Sequence, residues 1–222
     1  MKILILGALD KEINVLNKLI SAKKNGSFCV AKVKKNKVFT AVTGVGIMNA
    51  AAMTATLVDQ LKPDYVINIG SAGGHTSEIN AGDIVVCDKA IYHGGYIMTE
   101  EPTKNWETIE ETSLELKGDE KLSKLIDKLD TDIKIYHGAT LSGDFFTRDK
   151  EYILALQKKH HHLCEDMETI AIYHVCQSKK VPVIAYRIIA NNELQGTLYE
   201  DYVDEVNQKL QTVIVELLNS LN

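Results

Sequence analysis

The chain has 222 residues, 45% of them apolar and 25% charged, with a net charge of −5. That length supports one domain, residues 1–222, with a substantial core, and the composition excludes a disordered chain. The acid excess and the absence of a polybasic stripe give no reason to expect a nucleic-acid partner, and no apolar run approaches a membrane span.

Residues 2–7 are apolar until Asp10-Lys11-Glu12 cuts them off, which is too short for a secretory signal and reads as a buried strand. A helix is expected over 10–23, with Ile13, Leu16, Leu19 and Ile20 on one face. Residues 28–33 and 37–42 form an expected hairpin about a polar turn. After Thr43-Gly44-Val45-Gly46 comes an alanine-rich helix to about Leu61, ended by Pro63. Strands are expected over 64–70 and 83–91. The stretch 92–117 has no clean period and reads as a long excursion carrying Tyr96, Ile97 and Trp106. A helix near 119–129, a strand near 133–141 and a helix near 149–159 follow. A helix to about Lys180, a strand over 182–190 and a helix from about Glu200 complete the chain.

This alternation predicts an α/β fold, a mixed central sheet flanked by helices on both faces. In such sheets ligand groups collect at the carboxyl ends of strands. Several suggestive segments fall there, and Glu165-Asp166-Met167-Glu168 stands out, because it places three carboxylates at a strand-to-helix junction. Acids there also suit a helix dipole, which accounts for Asp166 without a ligand. Gly44-Val45-Gly46 is a weak dinucleotide signal, since the third glycine is missing. Cys29, Cys87, Cys164 and Cys176 lack Cys-x-x-Cys spacing and read as buried free thiols in a reducing cytoplasm. His160-His161-His162 cannot all converge on one ion, so no metal is expected. Arginine is limited to Arg148 and Arg187.

Taken in order, Gly7-Ala8-Leu9-Asp10-Lys11-Glu12, Thr43-Gly44-Val45-Gly46, Asn68-Ile69-Gly70-Ser71-Ala72-Gly73-Gly74 and Gly82-Asp83-Ile84-Val85-Val86 resemble the bacterial 5′-methylthioadenosine/S-adenosylhomocysteine nucleosidases. Leu141-Ser142-Gly143-Asp144-Phe145-Phe146, Asp166-Met167-Glu168-Thr169 and His174-Val175-Cys176 continue the resemblance. The ordered set is specific for the wider purine nucleoside phosphorylase/nucleosidase family. It implies hydrolysis of the N-glycosidic bond of a purine nucleoside with a 5′-thio substituent, without metal or organic cofactor, in a cytoplasmic homodimer.

The resemblance gives Glu12 the role of general base on water; read alone, Glu12 is a solvated acid in a first helical turn. It gives Glu168 the ribose hydroxyls, Met167 an apolar sugar contact, and Phe146 the purine. Leu9, Ser71, Thr147 and Tyr199 complete the implied substrate-binding set. Asn191 departs from the pattern: the nucleosidases carry Asp there, which protonates the leaving purine, and they carry Ser where this chain has Ala190. An amide donates hydrogen bonds but not a proton. Three readings stay open: a substitution that traps substrate, a shift toward 6-oxopurine nucleosides, or a weakly active or merely nucleoside-binding relative. A phosphorylase is the rival enzyme, although one pair of arginines is a poor phosphate clamp.

Overall fold

The computed structural model describes residues 1–94, 96–97, 104–105 and 114–221. Strand β1 (Lys2–Gly7) leads into α1 (Asp10–Leu19), then β2 (Lys23–Asn25), β3 (Phe28–Val33), β4 (Asn36–Val42) and α2 (Ile47–Leu61). Next come β5 (Tyr65–Gly74), β6 (Ile84–Tyr92), the short pair β7 (Tyr96–Ile97) and β8 (Lys104–Asn105), and β9 (Glu115–Lys117). The remainder is α3 (Glu120–Ser123), β10 (Ile135–Ser142), α4 (Lys150–His160), β11 (Cys164–Asp166), α5 (Thr169–Ser178), β12 (Val183–Asn191) and α6 (Tyr199–Ser220).

The main sheet is mixed, as expected, and runs β11-β10-β6-β12-β5-β1-β4-β3-β2. Strand β11 also pairs with β5, so β5, β12, β6, β10 and β11 close into a ring; β9 adds to β6, and β1, β4, β3 and β2 extend from the ring as a wing. β12 lies within this ring, and every one of its residues is buried, which explains why it is apolar except at Arg187 and Asn191. Helices α1 and α6 cover one face, with Ile13, Leu16, Val206 and Leu210 in the core there. Helices α2 and α5 cover the other through Leu57, Val58, Ile170 and Ala171.

Three expectations need correction. The first helix stops at Leu19, because Ser21 takes a positive φ of 53° and residues 23–25 turn back to pair with β3. The helix expected near 119–129 is one turn, α3, followed by a 3₁₀ turn at Ile126–Lys128. Its residues serve tertiary contacts instead: Ser123 donates to Asp88, and Leu122 and Ile126 enter the core. Strand β5 continues to Gly74 rather than turning at Gly70, since Gly73 and Gly74 pair with Glu165 and Cys164. Of the excursion over 92–117, Trp106 lies outside the described residues.

The end of β12 is fastened by Asn192. Its buried amide donates to the carbonyls of Thr76 and Ile79, both at 2.8 Å, and its Oδ1 accepts from the Leu194 amide at 3.1 Å. Asn192→Ala removes both donors, leaving the Ile79 carbonyl only the Gln195 side-chain amide at 3.2 Å, and should cost about 1–3 kcal/mol of unfolding free energy. Chemical denaturation checks this; an unchanged midpoint would remove Asn192 as the fastener.

Candidate active site

A cavity of about 250 Å³ opens at the carboxyl ends of β1, β5 and β11, lined by Leu9, Glu12, Ser71, Phe146, Met167 and Glu168 together with Ala8, Val45, Ala72, Gly73, Phe145, Glu165 and Asp166. The sheet topology thus gathers groups from five separate segments at one mouth.

Glu12 is no solvated helix-start acid. It is buried, and four donors converge on its carboxylate. Oε2 accepts from the amides of Ala8 (2.7 Å) and Leu9 (3.1 Å), the turn between β1 and α1. Oε1 accepts from the amide and hydroxyl of Ser71, at 3.0 and 3.3 Å. Ser71 therefore both lines the cavity and orients Glu12.

Glu168 sits at the start of α5, where its Oε1 accepts from the Gly46 amide at 3.0 Å. Gly46 has a φ of +93°, and a Cβ there would lie 2.7 Å from Asp144 Oδ1, so only glycine brings this amide to the carboxylate. Behind Glu168 lies Arg187, which has no exposed surface. Its Nη2 is 3.8 Å from Glu168 Oε2 and its Nε 3.4 Å from Asp166 Oδ2. The guanidinium occupies the space a side chain at Gly70 would need, and Glu12 Oε1 borders the same point.

Asp166 is wholly internal in its bonding. Oδ1 accepts from Ser142 and from the amides of Glu168 and Thr169; Oδ2 accepts from the hydroxyls of Thr140 and Thr169. Burial pushes its carboxyl up, but Arg187 and the Thr169 and Glu168 amides outweigh that and hold it below the usual range. Burial pushes Glu168 up to about 7; Asp166 and Glu12 add to this, while Arg187 and the Gly46 amide oppose it.

The other expected residues divide. Leu9, Phe146 and Met167 line the cavity, and Phe145, which the sequence reading did not assign, stands beside Phe146. Thr147 is turned to a neighbour: its amide and hydroxyl both donate to Glu165, each at 2.7 Å. Tyr199 opens α6, but its side chain lies outside the described residues. Asn191 stands one layer back. The pairing of β12 with β5 slips between Ile189 and Asn191, a bulge at Ala190 that aims the Asn191 amide at Gly73. Its Oδ1 lies 3.5 Å from where a Gly73 Cβ would be and has no hydrogen-bond partner. Arg187 falls within the strand expected over 182–190; its closeness to Glu12 was not legible, because Gly70 creates it.

Glu168 carries a testable consequence for stability. Its folded pKa of about 7 lies above the ordinary 4.5, so the folded state holds the proton more tightly than the unfolded state. Stability then falls as pH rises through the window from about 4.5 to 7. Glu168→Gln cannot ionise, so between pH 5 and pH 8 it should gain on the order of 2–3 kcal/mol relative to the parent. Parallel denaturation curves at the two pH values measure this, and a constant difference would place the shift elsewhere.

Comparison with known proteins identifies the family and the fold. The sequence pattern of the Phosphorylase superfamily matches residues 2–219. A 5′-methylthioadenosine/S-adenosylhomocysteine nucleosidase of Geobacillus sp. (strain WCH70) is 29% identical over 100% of this chain and 99% of its own. Among solved structures, the futalosine hydrolase of Helicobacter pylori superposes with a TM-score of 0.87 at 19% identity, covering 100% of this chain and 98% of that one. An aspartate-to-asparagine variant of the H. pylori methylthioadenosine nucleosidase, with 5′-methylthioadenosine in its active site, gives 0.86 at 20% identity and 99% coverage of both chains. At such identities the superpositions speak for the fold, while the pattern match spans nearly the whole chain: this protein belongs to the phosphorylase superfamily.

Proposed function

We propose that the protein hydrolyses the N-glycosidic bond of purine nucleosides of the 5′-methylthioadenosine/S-adenosylhomocysteine type, releasing purine and a thioribose. The observation that carries this is the lining of the cavity: among the described residues it has four acidic side chains, Glu12, Glu165, Asp166 and Glu168, and no lysine or arginine. Phosphate is an anion and would meet acidic side chains with no cation turned toward it, whereas water and a sugar that becomes oxocarbenium-like suit such a lining. Arg148 is tied to Glu193 at 3.2 Å, and Arg187 is enclosed by Asp166 and Glu168. Neither is offered to a phosphate, which favours hydrolysis over phosphorolysis.

In this reading Glu12, aimed by Ser71 and the Ala8 and Leu9 amides, takes the proton from the attacking water. Glu168 accepts the ribose hydroxyls, Met167 packs on the sugar, and Phe146 covers the purine. Leu9 supplies an apolar wall, Thr147 holds the base-side loop to Glu165, and Tyr199 belongs near the 5′ substituent. Asn191 offers an unpaired amide oxygen toward the purine end, a hydrogen-bonding rather than a proton-donating role. The nucleoside is the only partner this reading needs; the charge balance gives no footing for nucleic acid, and no helix among the described residues is long and apolar enough to cross a membrane. A homodimer fits the apolar side chains left exposed around the mouth, Val45, Met48, Phe145 and Phe146. Free thiols at all four cysteines suit the cytoplasm.

Glu12→Gln keeps the shape of the side chain and removes the base. Turnover of 5′-methylthioadenosine should fall by 10²-fold or more, about the scale of a positioned base, with nucleoside affinity within about tenfold. Steady-state kinetics and calorimetry test this together. An unchanged kcat would return Glu12 to a purely structural role.

A further inference from the structure

The proposed reaction leaves the base end short of a proton donor, because Asn191 cannot supply one. A different acid stands there. Glu165 lines the cavity beside the aromatic loop, and Thr147, the neighbour of Phe146, binds it with two hydrogen bonds. In the sheet Glu165 is the register partner of Gly73 from β11, and Asn191 is the partner of the same glycine from β12. The two side chains therefore flank one position that carries no side chain.

Glu165 also has something behind it. His75 Nε2 lies 3.7 Å from Glu165 Oε2, and His75 Nδ1 lies 2.8 Å from His162 Nε2. Both imidazoles are buried, and His162 Nδ1 has no hydrogen-bond partner. The ring of His160, half-buried at the end of α4, is 6.3 Å from that of His162. Glu165, His75 and His162 thus stand in line from the cavity toward the surface, His75 and His162 joined by a hydrogen bond and His75 within ion-pair distance of Glu165. A clamp on Thr147 would need only the carboxylate. It would give no role to the two buried imidazoles lined up behind that carboxylate.

We propose that Glu165 is the proton donor to the departing purine and that His75 and His162 are the relay that restores its proton; this rests on the hydrolytic reading above. As the C–N bond breaks, its electron pair passes to the purine, and the Glu165 carboxyl proton moves to a purine ring nitrogen. The water oxygen bonds to the anomeric carbon and gives its proton to Glu12. Glu165 then regains a proton through His75 from His162, which is replenished from the His160 side, and Glu12 releases its proton to solvent. One water is consumed.

The surroundings suit these roles. Burial raises the Glu165 carboxyl, Asp166 raises it further, and the two Thr147 bonds oppose this. Burial brings His75 down to about 4, with His93 adding to the shift. Burial brings His162 down to about 2, with His75, His160 and His93 contributing. Both rings are then neutral near pH 7, each with one donor and one acceptor nitrogen, as a relay requires.

Leaving groups separate this from a structural role. Glu165→Gln should lower kcat on 5′-methylthioadenosine by about 10²-fold, the usual scale of general acid catalysis. On the 5-methylthioriboside of 4-nitrophenol, which departs as a stable anion, kcat should change less than about threefold. The alkaline fall of kcat on the purine nucleoside should disappear in the variant. His75→Leu should slow the purine nucleoside and spare the nitrophenyl riboside in the same way. Equal losses on both substrates would make Glu165 a clamp and overturn the proposal. Full activity of Glu165→Gln on the purine nucleoside would overturn it too, leaving the hydrolytic reading intact. If the unaltered protein releases no purine from any nucleoside, both fall.

Discussion

A guanidinium with no exposed surface organises this site. Arg187 lies on the central strand of a closed ring, within 4 Å of Asp166 and Glu168, and Gly70 gives it room beside Glu12. A buried cation is tolerated only where anions and acceptors surround it, and here they come from β5, β11 and α5. The acids are not equivalent around it. Asp166, closest and most fully hydrogen-bonded, stays ionised and fixes the β11–α5 turn. Glu168, farther from the cation and held by one amide, is left near the balance between its two states. The same arrangement thus produces one rigid carboxylate and one that readily exchanges a proton, with Glu12 held separately by four donors.

Much of this was readable from the chain. The apolar runs of β1, β6 and β12 and the alanine-rich α2 follow from burial on both faces of a sheet and from helical spacing. The placing of Glu12 and Glu168 at one cavity was readable because each follows a strand in a recognisable motif. What was hidden depends on distant partners. The burial of Glu12 rests on Ser71, 59 residues away, and His75 meets His162 across 87 residues. Strand β11, three residues long, has no periodicity to detect, yet it closes the ring and sets Glu165 opposite Gly73. Of the three adjacent histidines only His162 is fully buried, and nothing in the sequence signalled that it would meet His75.

The two ends of the cavity differ in how firmly they are built. At the end that carries Glu12 and Glu168, backbone amides from two turns and from β5 fix the carboxylates. At the base end, the loop carrying Phe145 and Phe146 has no regular structure and is anchored through Asp144 to the Ile47 amide and through Thr147 to Glu165. Such a division suits an enzyme in which the sugar is held for attack while the base enters and leaves past aromatic side chains.

The claim on which the account turns is that water, not phosphate, receives the sugar. Turnover of 5′-methylthioadenosine in ¹⁸O-water containing phosphate, followed by mass spectrometry of both products, tests it directly. The acid-lined cavity predicts free adenine and a methylthioribose carrying one ¹⁸O, at a rate indifferent to phosphate. A methylthioribose 1-phosphate whose formation rises with phosphate would contradict it.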